Sequence, residues 1–562
     1  MDNCFLSRRM GRLGAIAAGA LAVMVASVFA APALAIEHDT GYGEPYALLG
    51  NRIVFTTWYF VYPGKPDWRD ASGNSVYARE DAKLGRGEAS FHCEDCPEGI
   101  EFIVEKPERG GPAISREKPW EAMGVRPLSL QVDDGVYRMW ARCQDKEGKD
   151  HNCYFRSTDG STWERPNLGL VEFEGSTENN LYRGGGFLPS SRRPGDSMGS
   201  VFIDPAAPPE ERYKTLWHAD FDPERFEKDY KNRRPYSHMA LETDLGRVHS
   251  IRAAVSPDGF HWTELPDPIS VEPSDTDVIA YYDQKLAKYV MYTRSQMVGS
   301  RAPGFPIEMH QRRNNFSHRR AIGRSESKDF KAFPLSEVII EPGTDMKPTD
   351  SYYTNCRTAI PGAPDHHLMF PAVYHLTDDT TSIELHTSYD GKTWHRAPGG
   401  YTLDVSTEGQ WDSGCIFAVQ GLVELANGTW VLPYVGFRYP HKFPRGAWSY
   451  DVGLMRWPKG RLMALAAEDK GEFTTVAFVS PGDKLRINAV TRLAGGILIE
   501  ACDFNGKPLE GRSFGDAVPI VGDQYRSLVT WKGHDTLGVK KGEPLVLRFR
   551  MDKARIYALD FE

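Results

Sequence analysis

Beyond residue 35 this 562-residue chain has no apolar run near the ~20 residues that a membrane-spanning helix needs. It also lacks long stretches of helical periodicity, so a mainly helical architecture is not expected. It has no basic excess: the net charge is −9, which argues against a general nucleic-acid binder. Cysteine is scarce, with 8 in all. The lone C-x-x-C, Cys93 and Cys96 beside His92, has no second cysteine pair, so a structural zinc site is poorly supported.

What is present begins with an export signal. Arg8, Arg9 and Arg12 form a charged start, an Ala-rich apolar run follows, and Ala33-Leu34-Ala35 offers an A-x-A cleavage site before Ile36. The mature protein is expected to be exported, periplasmic or extracellular, with no membrane association after cleavage. Cys143 and Cys153 flank the polar stretch "QDKEGKDHN" between two strand-like runs, and a disulfide closing that hairpin suits an oxidising compartment. Cys356 and Cys415 read as buried apolar residues rather than nucleophiles.

With 41% hydrophobic and 25% charged residues the composition is globular, and the length calls for two or more domains. Short β-branched and aromatic runs alternate with Gly, Pro and Asp turns, which predicts an all-β fold. Runs such as "VYRMWARC", "YKTLWHADF", "KYVMYTRS", "HHLMFPAVYH" and "TWVLPYVGF" recur, each after another apolar run and a short turn. A third strand follows most of them and ends in a repeated phrase: "STDGSTW", "SPDGFHW", "SYDGKTW". Strand units at a near-constant spacing predict a five-bladed β-propeller over 116–466, with first strands starting near 121, 196, 275, 350 and 412. A C-terminal β-sandwich is expected over 467–562, and 36–115 reads as an extension whose strands pack on the main domains. In the repeated phrase the Asp-Gly pair makes a tight turn and the Trp packs beneath it, a structural rather than catalytic role.

Each expected first-strand start carries a carboxylate: Glu121, Asp196, Asp275 with Asp277, Asp350 and Asp412. A single such Asp is ordinarily a turn cap. Repetition at every blade points instead to convergence at the mouth of the axial tunnel. Convergent carboxylates suit glycosidic bond cleavage, where one protonated acid serves the leaving oxygen and one carboxylate acts as base or nucleophile. Trp120, Tyr352, Tyr353 and Trp411 lie near strand starts and are candidates to stack on sugar rings or to pack between blades. Loops expected on the same face are basic, with Arg301, Arg312, Arg313, Arg319 and Arg320 in one, Arg438, His441, Lys442 and Arg445 in another, and Arg233 and Arg234 in a third. On an acidic protein that suggests an anionic substrate, a uronic or sulfated sugar.

These features resemble the five-bladed β-propeller glycosidases, a superfamily that includes fructosidases and arabinanases. The phrases "STDGSTWERPNLGLVEFEGSTENNL", "IDPAAPPEERYK" and "TTSIELHTSYDGKTWHRAPGG" look like an exported bacterial, glycosyl-hydrolase-like branch. The resemblance implies a base or nucleophile Asp, an orienting Asp and an acid Glu at the inner starts of the first, third and fourth blades. By blade these fall on Glu121, Asp275 and Asp350, expected to be catalytic, although Glu stands where Asp is usual and Asp350 where Glu is usual. The fructosidase signature W-M-N-D-P-N is absent, which counts against fructan activity. Asp196, Asp277, Asp412, Arg294, His375, Trp411, His441 and Arg445 are the expected carbohydrate-binding residues. No cofactor is required, although acidic side chains and His375 leave room for a structural cation in the axial channel. Two alternatives stay open. One is a sialidase-like hydrolase using Tyr352 or Tyr353 with arginines such as Arg126, Arg252, Arg294 or Arg357, and the other is a non-catalytic carbohydrate-binding propeller.

Overall fold

The alternating runs fold as antiparallel strands, and helix is confined to short turns such as Pro119–Glu121 and Pro209–Glu211 and to the stretch from Pro223 to Arg233. The structure is a computed structural model that describes residues 45–77, 88–188, 195–238, 248–296, 320–444 and 449–562. The export signal lies outside these residues. Pro45–Glu562 form one compact unit.

The first unit pairs Gly124–Asp133 with Val136–Gln144 and that strand with Asp150–Ser157. Its hairpin is written in "VDDGV". Asp134 (φ 50°) and Gly135 (φ 75°) both take the left-handed conformation of a two-residue turn, whose twist matches that of the strands it joins. The second unit runs Ser200–Ile203, Tyr213–Phe221, Val248–Ser256, Thr263–Glu264, and the third Ile279–Asp283, Lys288–Gln296, Arg320–Ser327, Glu337–Ile340. The fourth is broken across its middle into two ladders, one starting at Asp350–Tyr352 and one at Arg357–Ile360. The last runs Cys415–Ala418, Trp430–Phe437, Tyr450–Trp457. The succession is propeller-like.

Two departures from the expected boundaries have one cause: strands remote in sequence complete the sheets. Glu108–Arg109 form the outer edge of the last unit, pairing with Arg456 and Met455. The segment just before the first unit therefore closes the last one, and the array begins before residue 116. At the C-terminus Met463–Thr474, Leu485–Cys502 and Pro544–Phe561 form one sheet system. Arg52–Val54 and Glu101–Val104 from the N-terminal segment are hydrogen-bonded into it rather than merely packed on it. Ile53, Phe55, Leu465, Ile487, Leu547 and Ile556 lie in its buried core.

The repeated turns fasten neighbouring units. In each copy the serine hydroxyl accepts from the glycine amide, at 2.8 Å for Ser157 and 2.9 Å for Ser256 and Ser388. The aspartate accepts from the two amides beyond it. The glycines have φ of 67–83° and touch the unit before them: Gly160 faces Leu425, Gly259 faces Trp140 and Gly391 faces Tyr292. Trp140 Nε1 donates to the Gly259 carbonyl, and Tyr292 Oη donates to that of Gly391 at 2.6 Å. Cys143 and Cys153 form the hairpin disulfide, and Cys93 pairs with Cys96. Cys356, Cys415 and Cys502 are free and buried.

Candidate functional site

In an antiparallel four-stranded unit, the start of the first strand and the link from second to third strand lie at one end. At that end a cavity of about 570 Å³ opens between the units. Its walls include Arg126 and Leu128 of the first unit, Met198, Ser200, Trp217 and His218 of the second, Asp275, Thr276 and Asp277 of the third, and Val419 and Gln420 of the last.

Asp275 and Asp277 lie in the irregular stretch before the strand Ile279–Asp283, Asp277 with a positive φ of 26°. Arg126 holds Asp277 through Nη2 at 3.1 Å, and Asn355 Nδ2 donates to the Asp277 carbonyl at 2.8 Å. Thr276 Oγ1 donates to the Tyr353 carbonyl at 3.0 Å, which ties the third unit to the fourth. Asp275 is half exposed and pairs with Arg294.

Arg294 and Arg320 are brought together by strand register. Arg294 faces Ile322 across the ladder, so Arg320 is its diagonal neighbour on the same sheet face. The two residues are 9% and 6% exposed. Nε and Nη1 of both have no hydrogen-bond partner among the described residues. Burial, and then the charge of Arg320, lower the Arg294 guanidinium to about 10, which leaves it charged at neutral pH. Burial likewise pushes Arg320 down. Both lie against the Tyr353 ring, at 5.4 Å and 4.6 Å from its centroid, and Arg320 also faces Tyr374. His441 Nε2 sits 2.8 Å from Tyr353 Oη. Burial lowers His441 to about 4, with Lys442, Arg126 and Arg320 adding to the fall and Asp379 opposing it. The two buried guanidinium groups thus lie side by side, one of them paired with Asp275, with donors unmet among the described residues.

The remaining expected residues lie elsewhere. Glu121 sits in the short turn before the first strand with no exposed surface. Arg165 grips its two oxygens at 2.8 Å and 3.0 Å, and the amides of Glu117 and Lys118 donate to it. It is an internal ion pair rather than a group at the cavity. Asp412 is fully buried, accepts from Tyr434 Oη at 3.0 Å and lies 3.7 Å from Arg109, with Trp411 beside Tyr434. Asp350 is buried against His375 Nδ1 at 3.1 Å, and His375 Nε2 reaches Ser382 Oγ, which donates to Asp404. Asp196 falls in a short strand, Gly195–Ser197, that pairs with Gly186–Leu188 on one side and Asp150 on the other, while the inner strand starts later, at Ser200. The side chain of Asp196 is outside the described residues, as are Arg301, Arg312, Arg313, Arg319 and Arg445. Tyr352 is buried within reach of Glu384 and His386, and burial drives its hydroxyl far above the usual tyrosine range. Trp120 donates to Asn180 Oδ1 at 3.0 Å. Sequence reasoning singled out Asp275, Asp277, Arg294, Arg320, Tyr353 and His441 separately. It passed over Asn355, Tyr374 and Asp379, which carry no local motif.

No protein-family model and no curated protein matches the chain. Among solved structures it is similar to a protein described as a glycoside hydrolase, with 13% identity, 64% of this chain and 94% of that one covered, and a TM-score of 0.38. It is also similar to the catalytic domain of the Coprinopsis cinerea GH62 alpha-L-arabinofuranosidase, with 11% identity, coverage of 63% and 97%, and a TM-score of 0.38. A third is a Bombyx mori GH32 beta-fructofuranosidase, with 10% identity, coverage of 83% and 94%, and a TM-score of 0.34.

Proposed function

We propose that the protein is an exported glycoside hydrolase acting on an anionic sugar, uronic or sulfated, at the cavity that Asp275 and Asp277 line. In this reading the successive sheets are the blades of a five-bladed propeller and the C-terminal strands form a β-sandwich beside it. The observation that carries the proposal is the pair of buried guanidinium groups, Arg294 and Arg320, with unmet donors next to the Asp275 carboxylate. Two adjacent buried guanidinium groups that share one carboxylate carry a net positive charge, which favours a ligand of the opposite charge.

Hydrolysis needs an acid and a base on the two sides of the scissile bond. Arg126 orients Asp277, which serves as base or nucleophile. Asp275 shares Arg294. A substrate anion that engages Arg294 and Arg320 competes for that guanidinium and adds negative charge beside Asp275, which favours its protonated form and makes it the acid. Tyr353 holds the two arginines against its ring and so fixes where the substrate anion would bind. Glu121 and Asp412 have no part in this scheme, because their partners are internal.

The test is turnover of the mature protein on matched neutral and acidic oligosaccharides. Release from acidic members is expected, and Asp275→Asn and Asp277→Asn should each lower kcat by about 10²–10⁴-fold. No product from any sugar, or undiminished activity in both variants, overturns the proposal. Turnover of neutral sugars alone overturns its anionic part.

A further inference from the structure

We propose that His218, Asp220 and His249 bind one divalent transition-metal ion of the zinc class on the wall of the same cavity. The three side chains come together for the reason that unites Arg294 with Arg320. His218 and Asp220 alternate along the strand Tyr213–Phe221 and so point to one face. Asp220 is the direct cross-strand partner of His249 in Val248–Ser256, which makes His218 the diagonal neighbour of His249. One ligand atom from each lies within 4.8 Å of the others. His218 Nε2 is 3.0 Å from His249 Nδ1, and His249 Nδ1 is 3.8 Å from Asp220 Oδ1. Tetrahedral zinc with nitrogen ligands at ~2.05 Å sets its donors about 3.3 Å apart, close to the two separations at His249.

The donor set decides the class of metal. Calcium and magnesium take oxygen ligands, whereas two imidazoles with one carboxylate suit zinc, iron, cobalt or nickel. Three protein ligands leave coordination positions free, the pattern of a reactive rather than a purely structural site. All three residues line the cavity together with Asp275 and Asp277. Of the four carboxylates on its described walls, Asp150, Asp275 and Asp277 pair with Arg142, Arg294 and Arg126, and Asp220 is the one beside the two imidazoles. His218 Nε2 and His249 Nδ1, 3.0 Å apart, lie close enough for one ion to take both as ligands. The three residues share a cavity with Asp275 and Asp277, so the ion would lie at the wall of the space that takes their ligand. The metal site itself stands independently of the glycosidase reading.

The experiment uses the mature protein freed of metal with a chelator and titrated with Co²⁺, followed by visible absorption, and with Zn²⁺ by equilibrium dialysis. One equivalent and a d–d band are expected, with a rise in Tm on adding Zn²⁺. His218→Ala and His249→Gln should abolish the band and the Tm rise. Asp220→Asn, at a half-exposed position that folding tolerates, should weaken binding by more than about tenfold. Absence of Co²⁺ and Zn²⁺ binding in the wild type overturns the proposal, as does unchanged stoichiometry in all three variants. Preference for Ca²⁺ over Zn²⁺ overturns the assigned class.

Discussion

The indole Nε1 of Trp140 donates to the carbonyl of Gly259 at 2.9 Å, from the second strand of one unit to the Asp-Gly turn of the next. Trp262, the tryptophan of the same turn, donates to that carbonyl as well, at 3.1 Å. Gly259 holds φ at 83°, and an added Cβ would come within 2.7 Å of the Trp140 ring. Gly259→Ala therefore combines backbone strain with a clash between sheets. It should destabilise the protein by about 1–3 kcal/mol, as read by urea denaturation. Gly135→Ala, at a similar φ with nothing near the added Cβ, should cost less. Equal losses would show that contact between units contributes nothing.

The aspartate of that turn makes it sensitive to acid. Burial works against the Asp258 carboxylate, but the His261 amide and side chain, the Phe260 amide and the Ser256 hydroxyl outweigh it and hold it at about 2, below its ordinary 3.8. A depressed folded value means that the contribution is complete above the unfolded value and disappears as pH falls towards 2. Asp258→Asn should thus lower stability at neutral pH, by under about 1 kcal/mol because the group is partly exposed and screened. The gap from wild type should shrink as denaturation curves are taken below pH 4. A gap independent of pH would rule out the charge as the cause.

His441 adds a second pH dependence, in a different window. Its folded value of about 4 lies below the ordinary 6.5, so the unfolded chain takes up the proton first. Stability should fall between pH 6.5 and 4 by about 2 kcal/mol from this group, and His441→Gln should flatten that part of the curve. The same slope in wild type and variant would assign the loss to other groups.

The strand order, the Asp-Gly turns and the Cys143–Cys153 hairpin were legible because each is set by residues close in sequence. Carboxylates at strand starts were legible as positions but not as environments. Arg165 claims Glu121 from 44 residues away, and nothing local to "PWEAM" announces it. Arg109 reaches Asp412 because the chain before the first unit closes the last. Diagonal pairs such as His218 with His249 depend on strand register, which loop length does not fix. The same applies to Arg294 and Arg320, which are far apart in sequence. A one-residue slip would turn either pair to opposite faces.

Glu121 separates structural from catalytic reading. Its carboxylate is buried in a bidentate pair with Arg165, so Glu121→Gln leaves that guanidinium with only the exposed Glu117 as counter-charge. The loss should be about 3–5 kcal/mol in chemical denaturation. Turnover per folded molecule, measured well below the variant's Tm, should stay near wild type. A variant that is stable but inactive would return Glu121 to the chemistry.

Arg320 should show the opposite trade. Its guanidinium is buried beside Arg294, has donors unmet among the described residues and is driven down by burial, so the folded protein carries it at a cost. Methionine keeps an unbranched stem and removes both the charge and those donors. Arg320→Met should therefore hold or raise stability, by up to about 1–4 kcal/mol. Sulfate or a uronic acid should raise the Tm of the wild type by binding the folded state, and Arg320→Met should lose that shift. A variant that is less stable, or that keeps the full anion-dependent shift, would mean that the two arginines hold the fold rather than a ligand. In that case the preference for acidic sugars would have to come from groups other than Arg294 and Arg320.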